Sequence, residues 1–208
     1  MSAGPDRARA LEQYRHAARG YDRHMWFARG THREAVARLE LEPGQVVLDV
    51  ACGTGLNFEA IEAGIGPDGH LIGLDLSPEM LAVARERVEA AGWRNVTLVQ
   101  AAAEDASLPA APDALLFSFA HDVQRSPAAL DNLLAAARPG ARVVAAGGKW
   151  PPRWIVPVHA YVRWQAPRFV TTMEGFDRPW SLLAERVPGL RVRQRSLGGA
   201  YVAYGKTV

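Results

Sequence analysis

The sequence predicts an α/β fold: a doubly wound, mostly parallel seven-stranded sheet with an antiparallel C-terminal hairpin strand. Three observations lead there. Short aliphatic runs alternate with helix-length segments from residue 45 to about residue 148. The first runs are nearly continuous in apolar residues, as expected of strands buried on both faces. Two further runs near the C-terminus meet through Gly198–Gly199, the signal of a hairpin.

The elements follow in order. Residues 6–28 read as helical with a break near Gly20. Thr31 reads as an N-cap with Glu34 three residues on, opening a second helix that runs to about Leu41. Residues 45–50 form the first strand, 56–64 a helix, and 71–75 the second strand. Ser77-Pro78 starts a helix that continues to Ala91. Residues 96–99 and 114–117 are the third and fourth strands, 129–137 a helix stopped by Pro139–Gly140, and 142–146 the fifth strand. Runs over 190–196 and 201–205 complete the hairpin. The stretch 149–177 is long for a strand-to-helix connection and reads as a lid-like insertion. Residues 1–208 are read as one domain, with 1–42 as an N-terminal helical cap.

At 208 residues the chain suits a single core. Lys plus Arg number 24 and Asp plus Glu 22, a balance that gives no general argument for nucleic acid. Between Lys149 and Arg195, however, nine basic residues face three acids. Cys52 is the one cysteine, so neither an internal disulfide nor a cysteine-based metal site is expected, and no metal is called for. That composition, with no signal-like apolar run and no stretch long enough to span a bilayer, predicts a cytoplasmic protein.

Asp49-Val50-Ala51-Cys52-Gly53-Thr54-Gly55 sits where a strand passes into a helix. Glycines there permit a tight turn and close approach of a ligand, and free N–H groups of the following helix suit a carboxylate. Asp49 stands at the strand end, where it can balance an ammonium. The same pattern also serves a ligand-free turn. Asp75 ends the second strand 26 residues further on, a position from which an acid accepts hydrogen bonds from ribose hydroxyls. It serves equally as a helix-start acid. Ala103-Glu104-Asp105 follows the third strand, where a small residue and an acid suit an adenine ring and its amine; a solvated loop is the other reading. After Gly53 and Gly55, position 58 is Phe, so the dinucleotide fingerprint G-x-G-x-x-G is not matched.

VLDVACGTG, GLDLSPEML and AAAEDASLP, in this order and spacing, resemble the class I S-adenosylmethionine (SAM)-dependent methyltransferases. The similarity is greatest to the ubiquinone-biosynthesis and phospholipid N-methyltransferase-like group, and it covers about residues 45–148. The resemblance implies a Rossmann-like fold and SAM as cofactor, with S-adenosylhomocysteine as product. It implies that Asp49, Gly53 and Gly55, with Ala51 and Asn57, hold the methionine moiety. Asp75 would hold the ribose with Leu76 and Met80 beside the adenine. Ala103 and Glu104 or Asp105 would lie near the adenine amine. Ala51 departs from the glycine of many members.

Phe117-Ser118-Phe119-Ala120-His121-Asp122 follows the fourth strand, where the family places residues that position the acceptor. Ser118 falls on the cofactor side. His121 suits a general base oriented by Asp122, or else caps a helix or lines a wall. Tyr14 and Tyr21 lie in a segment that in related enzymes folds over the cofactor, where their rings favour the sulfonium or bond the acceptor; helix packing explains them equally. The lid-like stretch interleaves Trp150, Trp154, His159, Tyr161, Trp164 and Phe169 with Arg153, Arg163 and Arg168. That mixture suits an apolar or anionic substrate, peripheral membrane contact, or core completion. The expected function is methyl transfer to an N or O atom of a small metabolite or a lipid head group, by a monomer or homodimer, with nucleic acid not expected as substrate. Quinone-type C-methylation and a non-catalytic SAM-binding sensor or partner protein are the alternatives.

Overall fold

The structure is a computed structural model that describes residues 5–15 and 18–208. The parts of the expected N-terminal cap at 1–4 and 16–17, and the side chains of Arg19 and Arg168, lie outside the described residues. Strands β1 (Val46–Val50), β2 (His70–Asp75), β3 (Val96–Gln100), β4 (Ala114–Ser118), β5 (Arg142–Gly148), β6 (Arg191–Arg195) and β7 (Ala200–Lys206) form one sheet. Their order is β3-β2-β1-β4-β5-β7-β6. The first five are parallel, whereas β7 pairs antiparallel with both β5 and β6. The expected sheet is therefore found, with the second hairpin strand inserted between β5 and the edge.

Helices α3 (Arg29–Leu39), α4 (Phe58–Ile65) and α5 (Pro78–Ala91) cover one face. The other face is covered by α7 (Pro127–Ala135) and α9 (Ser181–Arg186). Alternation along β1 sets the partition: Leu48 and Val50 enter one core, and Val47 enters the other. Asp49 shares the parity of Val47, so its carboxylate is fully buried. On α4 the buried Phe58, Ile61 and Ile65 recur at helical spacing. Ser77 caps α5 by accepting from the Met80 N–H, and Ser126 caps α7 in the same way from Ala129. Each such cap stabilises its helix by about 1 kcal/mol.

The N-terminal expectation needs correction. The stretch 6–28 is broken into α1 (Arg7–Arg15), α2 (Tyr21–His24) and short 3-10 turns. Thr31 lies inside the first turn of α3 and does not cap it, and Glu34 pairs with Arg193 and Arg195 on β6. Ion pairs from helix to sheet edge have replaced the local capping box. The lid-like stretch contains a helix the sequence reading omits, α8 (Val156–Gln165), and a one-turn helix, α6 (His121–Gln124), follows β4.

Candidate functional site

Strand order reverses between β1 and β4, and the parallel strands direct their carboxyl ends to one edge, where an α/β sheet opens a crevice. A cleft lies there. Ala51, Gly53, Asp75, Leu76, Met80, Ala103, Glu104, His121 and Asp122 line it, with Tyr14 and Tyr21 over it.

Ala51 and Gly53 both hold left-handed backbone, with φ of 52° and 57°. A Cβ on Gly53 would meet nothing nearer than Met80 Sδ at 4.0 Å, so this backbone faces open space. Gly55 has another reason to be glycine: φ is 76°, and a Cβ would strike the Phe58 ring at 2.7 Å. Gly55, Asp49, Asn57 and Ser118 therefore stand behind the cleft wall. Asn57 Nδ2 donates to both Asp49 oxygens, at 3.3 and 3.1 Å. Burial, with the Asp75 charge adding to it, pushes Asp49 up to about 7 against the Asn57 hydrogen bond.

Asp75 faces the cleft. Its Oδ2 accepts from the Gly53 N–H and its Oδ1 from the Ser77 N–H, each at 2.8 Å. Those bonds fix the carboxylate where it lines the cleft, in place to accept from a diol. Beside it Leu76, Met80 and Ala101–Ala103 form an apolar wall suited to a flat base. Open backbone at Gly53, a fixed carboxylate at Asp75 and this wall fit the three parts of SAM. Glu104 reaches the cleft but is engaged by Ser126 Oγ at 2.7 Å and by Arg7 at 2.9 Å. Asp105 points outward to Arg7 and does not join the site.

His121 is buried, and its ring packs edge-on to Phe176. Asp122 does not orient it as expected: both carboxylate oxygens accept from Thr171, through its N–H and its hydroxyl. Burial lowers the His121 pKa; Asp122 opposes this and Arg125 adds to it. That shift favours the neutral imidazole.

The expected cap and lid meet over the cleft. Tyr14 donates to the Phe169 carbonyl at 2.8 Å, Gln13 to that of Pro167, and the Asp6 N–H to Thr171 Oγ1. Tyr21 packs edge-on to Tyr14 and Phe169. Asp22 ties α2 to the glycine loop by accepting from Thr54 Oγ1 at 2.5 Å, and to α5 by pairing with Arg87.

A second chamber adjoins the cleft, and Phe119, His121 and Phe169 belong to both. Its wall is mainly apolar, from Met25, Ala28, Val158, Val162, Val170 and Phe176. Phe119 holds left-handed backbone (φ 57°), anchored by its N–H on the Ala146 carbonyl at 2.7 Å. Its ring stacks on His32, whose Nδ1 lies 2.9 Å from both Asn57 Oδ1 and Ser118 Oγ. His32 thus joins Ser118 to the Asn57–Asp49 pair. Local sequence gives no sign of His32, Asp22 and Thr171, whose partners are distant in the chain. Phe119, in contrast, lies in the stretch after the fourth strand singled out above, with no role of its own expected.

Residues 47–141 match the model of the methyltransferase domain family. The demethylmenaquinone methyltransferase of Listeria monocytogenes serotype 4b is 30% identical over 182 residues, 83% of this chain and 77% of that one. That of Symbiobacterium thermophilum is 37% identical over 116 residues, but the match spans 46% of its length. Among solved structures, a SAM-dependent methyltransferase from Aquifex aeolicus superposes with a TM-score of 0.62 at 21% identity, covering 85% of this chain and 89% of that one. The N-methyltransferase NodS from Bradyrhizobium japonicum, in complex with S-adenosylhomocysteine, gives 0.65 at 17% identity, with 88% of each chain covered. The chain belongs to the class I SAM-dependent methyltransferases, as the motifs implied. Among its curated relatives are demethylmenaquinone methyltransferases.

Proposed function

We propose that the chain is an enzyme that moves the methyl group of SAM onto an apolar small molecule seated in the second chamber. The observation that supports this most is the junction of the two cavities at Phe119, His121 and Phe169. When bound, SAM supplies an electrophilic methyl on sulfur. The protein's part is to hold donor and acceptor in line and exclude water. In this reading Asp75 holds the ribose and Gly53 receives the methionine end. Asp49 stands behind the wall, where a bound ammonium would favour its ionised form, and Leu76, Met80 and Ala103 flank the base. His121 takes the proton that the acceptor gives up.

The apolar chamber and the names of the curated relatives favour quinone-type C-methylation over transfer to the N or O atom of a polar metabolite. A lipid-borne acceptor also suits the outer surface. Trp26, Trp154 and Trp164 are 68%, 81% and 60% exposed; Trp26 adjoins Phe27 in the chain and Trp164 packs on Tyr161, and Phe27 and Tyr161 both line the chamber. From Lys149 to Met173 the sequence has no acid. We read this rim as a peripheral contact with an anionic membrane, and the stretch 149–177 as the lid of one 1–208 domain.

Radiolabelled methyl-SAM incubated with bacterial extract tests the reading. Label is expected in the organic-soluble fraction and to be lost with His121→Ala. Label confined to aqueous acceptors would reject the apolar acceptor. No label in either fraction, with S-adenosylhomocysteine still bound, would favour a sensor.

A further inference from the structure

The chamber wall is not wholly apolar. His121 and Gln124 stand at i and i+3 on α6, one face of a single turn, and both line it. Gln124 is fully buried. Its Oε1 accepts from the Tyr201 hydroxyl at 2.8 Å. Tyr201 is itself buried and packed against Trp180, ring centroids 4.8 Å apart, so this partner is fixed. Gln124 Nε2 has no hydrogen-bond partner among the described residues. A buried amide N–H with no acceptor carries a standing cost, and native proteins seldom retain one without a use. Here the unpartnered donor belongs to a residue of the chamber wall, one helical turn from the histidine at the junction of the two cavities.

We propose that Gln124 determines specificity for the acceptor: its Nε2 donates to an oxygen of the bound molecule. The class selected is an apolar ring bearing a carbonyl or other accepting oxygen. The Gln124 bond would anchor that oxygen deep in the chamber and turn the ring toward His121 and the cleft. An ammonium or protonated amine would set donor against donor and is disfavoured. This inference rests on the reading of the second chamber as the acceptor site, and it narrows that reading to oxygen-bearing rings.

The test compares two ligands of nearly equal shape, α-tetralone, which has one ring carbonyl, and tetralin, which has none. Each is titrated calorimetrically into the full chain saturated with S-adenosylhomocysteine. In the native protein α-tetralone is expected to bind about tenfold tighter, the value of one net hydrogen bond near the upper end of its range. In Gln124→Leu the preference disappears while tetralin affinity persists. Gln124→Met serves as a second variant if leucine unfolds the chain, with S-adenosylhomocysteine binding as the folding control. A purely structural role for Gln124 would change stability and leave the ligand ratio unmoved. An unchanged preference in both variants, or equal binding of the two ligands to the native chain, would overturn the role of Gln124 alone. Failure of both ligands to bind the native chain would overturn the chamber reading as well.

Discussion

Ala51 holds a left-handed backbone that costs an L-residue roughly 1–2 kcal/mol, part of which glycine recovers. Ala51→Gly is therefore expected to raise the melting temperature by about 2–4 °C, the shift that ~1 kcal/mol gives in a chain of this size. An unchanged or lower value would mean that the alanine methyl group contributes packing that offsets the strain. Asp49 gives a pH signature. Its carboxyl titrates near 7 in the folded chain, well above the usual carboxylate value. Between those two values the folded state holds more protons than the unfolded state. Stability therefore falls as pH rises from about 4 to about 7, and the effect is complete above that. Asp49→Asn removes this contribution. Urea midpoints at pH 5 and pH 8 should drop less in the variant than in the native chain; equal drops would show that Asp49 ionises normally.

At the scale of elements, α1 and the segment after α8 are bonded to each other where they line the cleft, and a gating role for this strap is open to test. Tyr14→Phe deletes the bond to the Phe169 carbonyl and leaves the ring packing with Tyr21 in place. The dissociation rate of S-adenosylhomocysteine, followed by stopped-flow fluorescence, should rise three- to tenfold, about one net hydrogen bond. No change would mean that the strap does not gate exchange. The sequence made the strands readable because buried parallel strands are short apolar runs with few alternatives, as at Val46–Val50. Ser77 and Pro78 marked α5 because cap chemistry is local. By contrast, α8 exposes Val156, Tyr161 and Trp164 and has no fully buried residue, so no apolar stripe announced it. The glycine loop and Asp75 were legible for the same local reason as the caps. Asp105, Asp122 and Glu34 take roles that local pattern does not show, because Arg7, Thr171 and Arg195, all remote in sequence, are what they touch.

For the whole molecule, the chamber and the cofactor cleft are continuous through Phe119, His121 and Phe169, and the proposed membrane contact rests on the exposed Trp26, Trp154 and Trp164. Vesicles containing phosphatidylglycerol are expected to sediment the protein, neutral vesicles to do so weakly, and Trp154→Ala with Trp164→Ala to reduce the effect; raised salt should also weaken it. Equal binding to both vesicle types would remove the electrostatic part of this account.

The function of the molecule turns on whether the cleft at the carboxyl ends of β1 and β2 binds SAM. The most direct measurement is calorimetric titration of the full chain with S-adenosylhomocysteine beside Asp75→Ala. Micromolar binding is expected, weakening at least tenfold when the fixed carboxylate is removed. Absence of binding to the native chain, or equal affinity in the variant, would contradict a SAM site there.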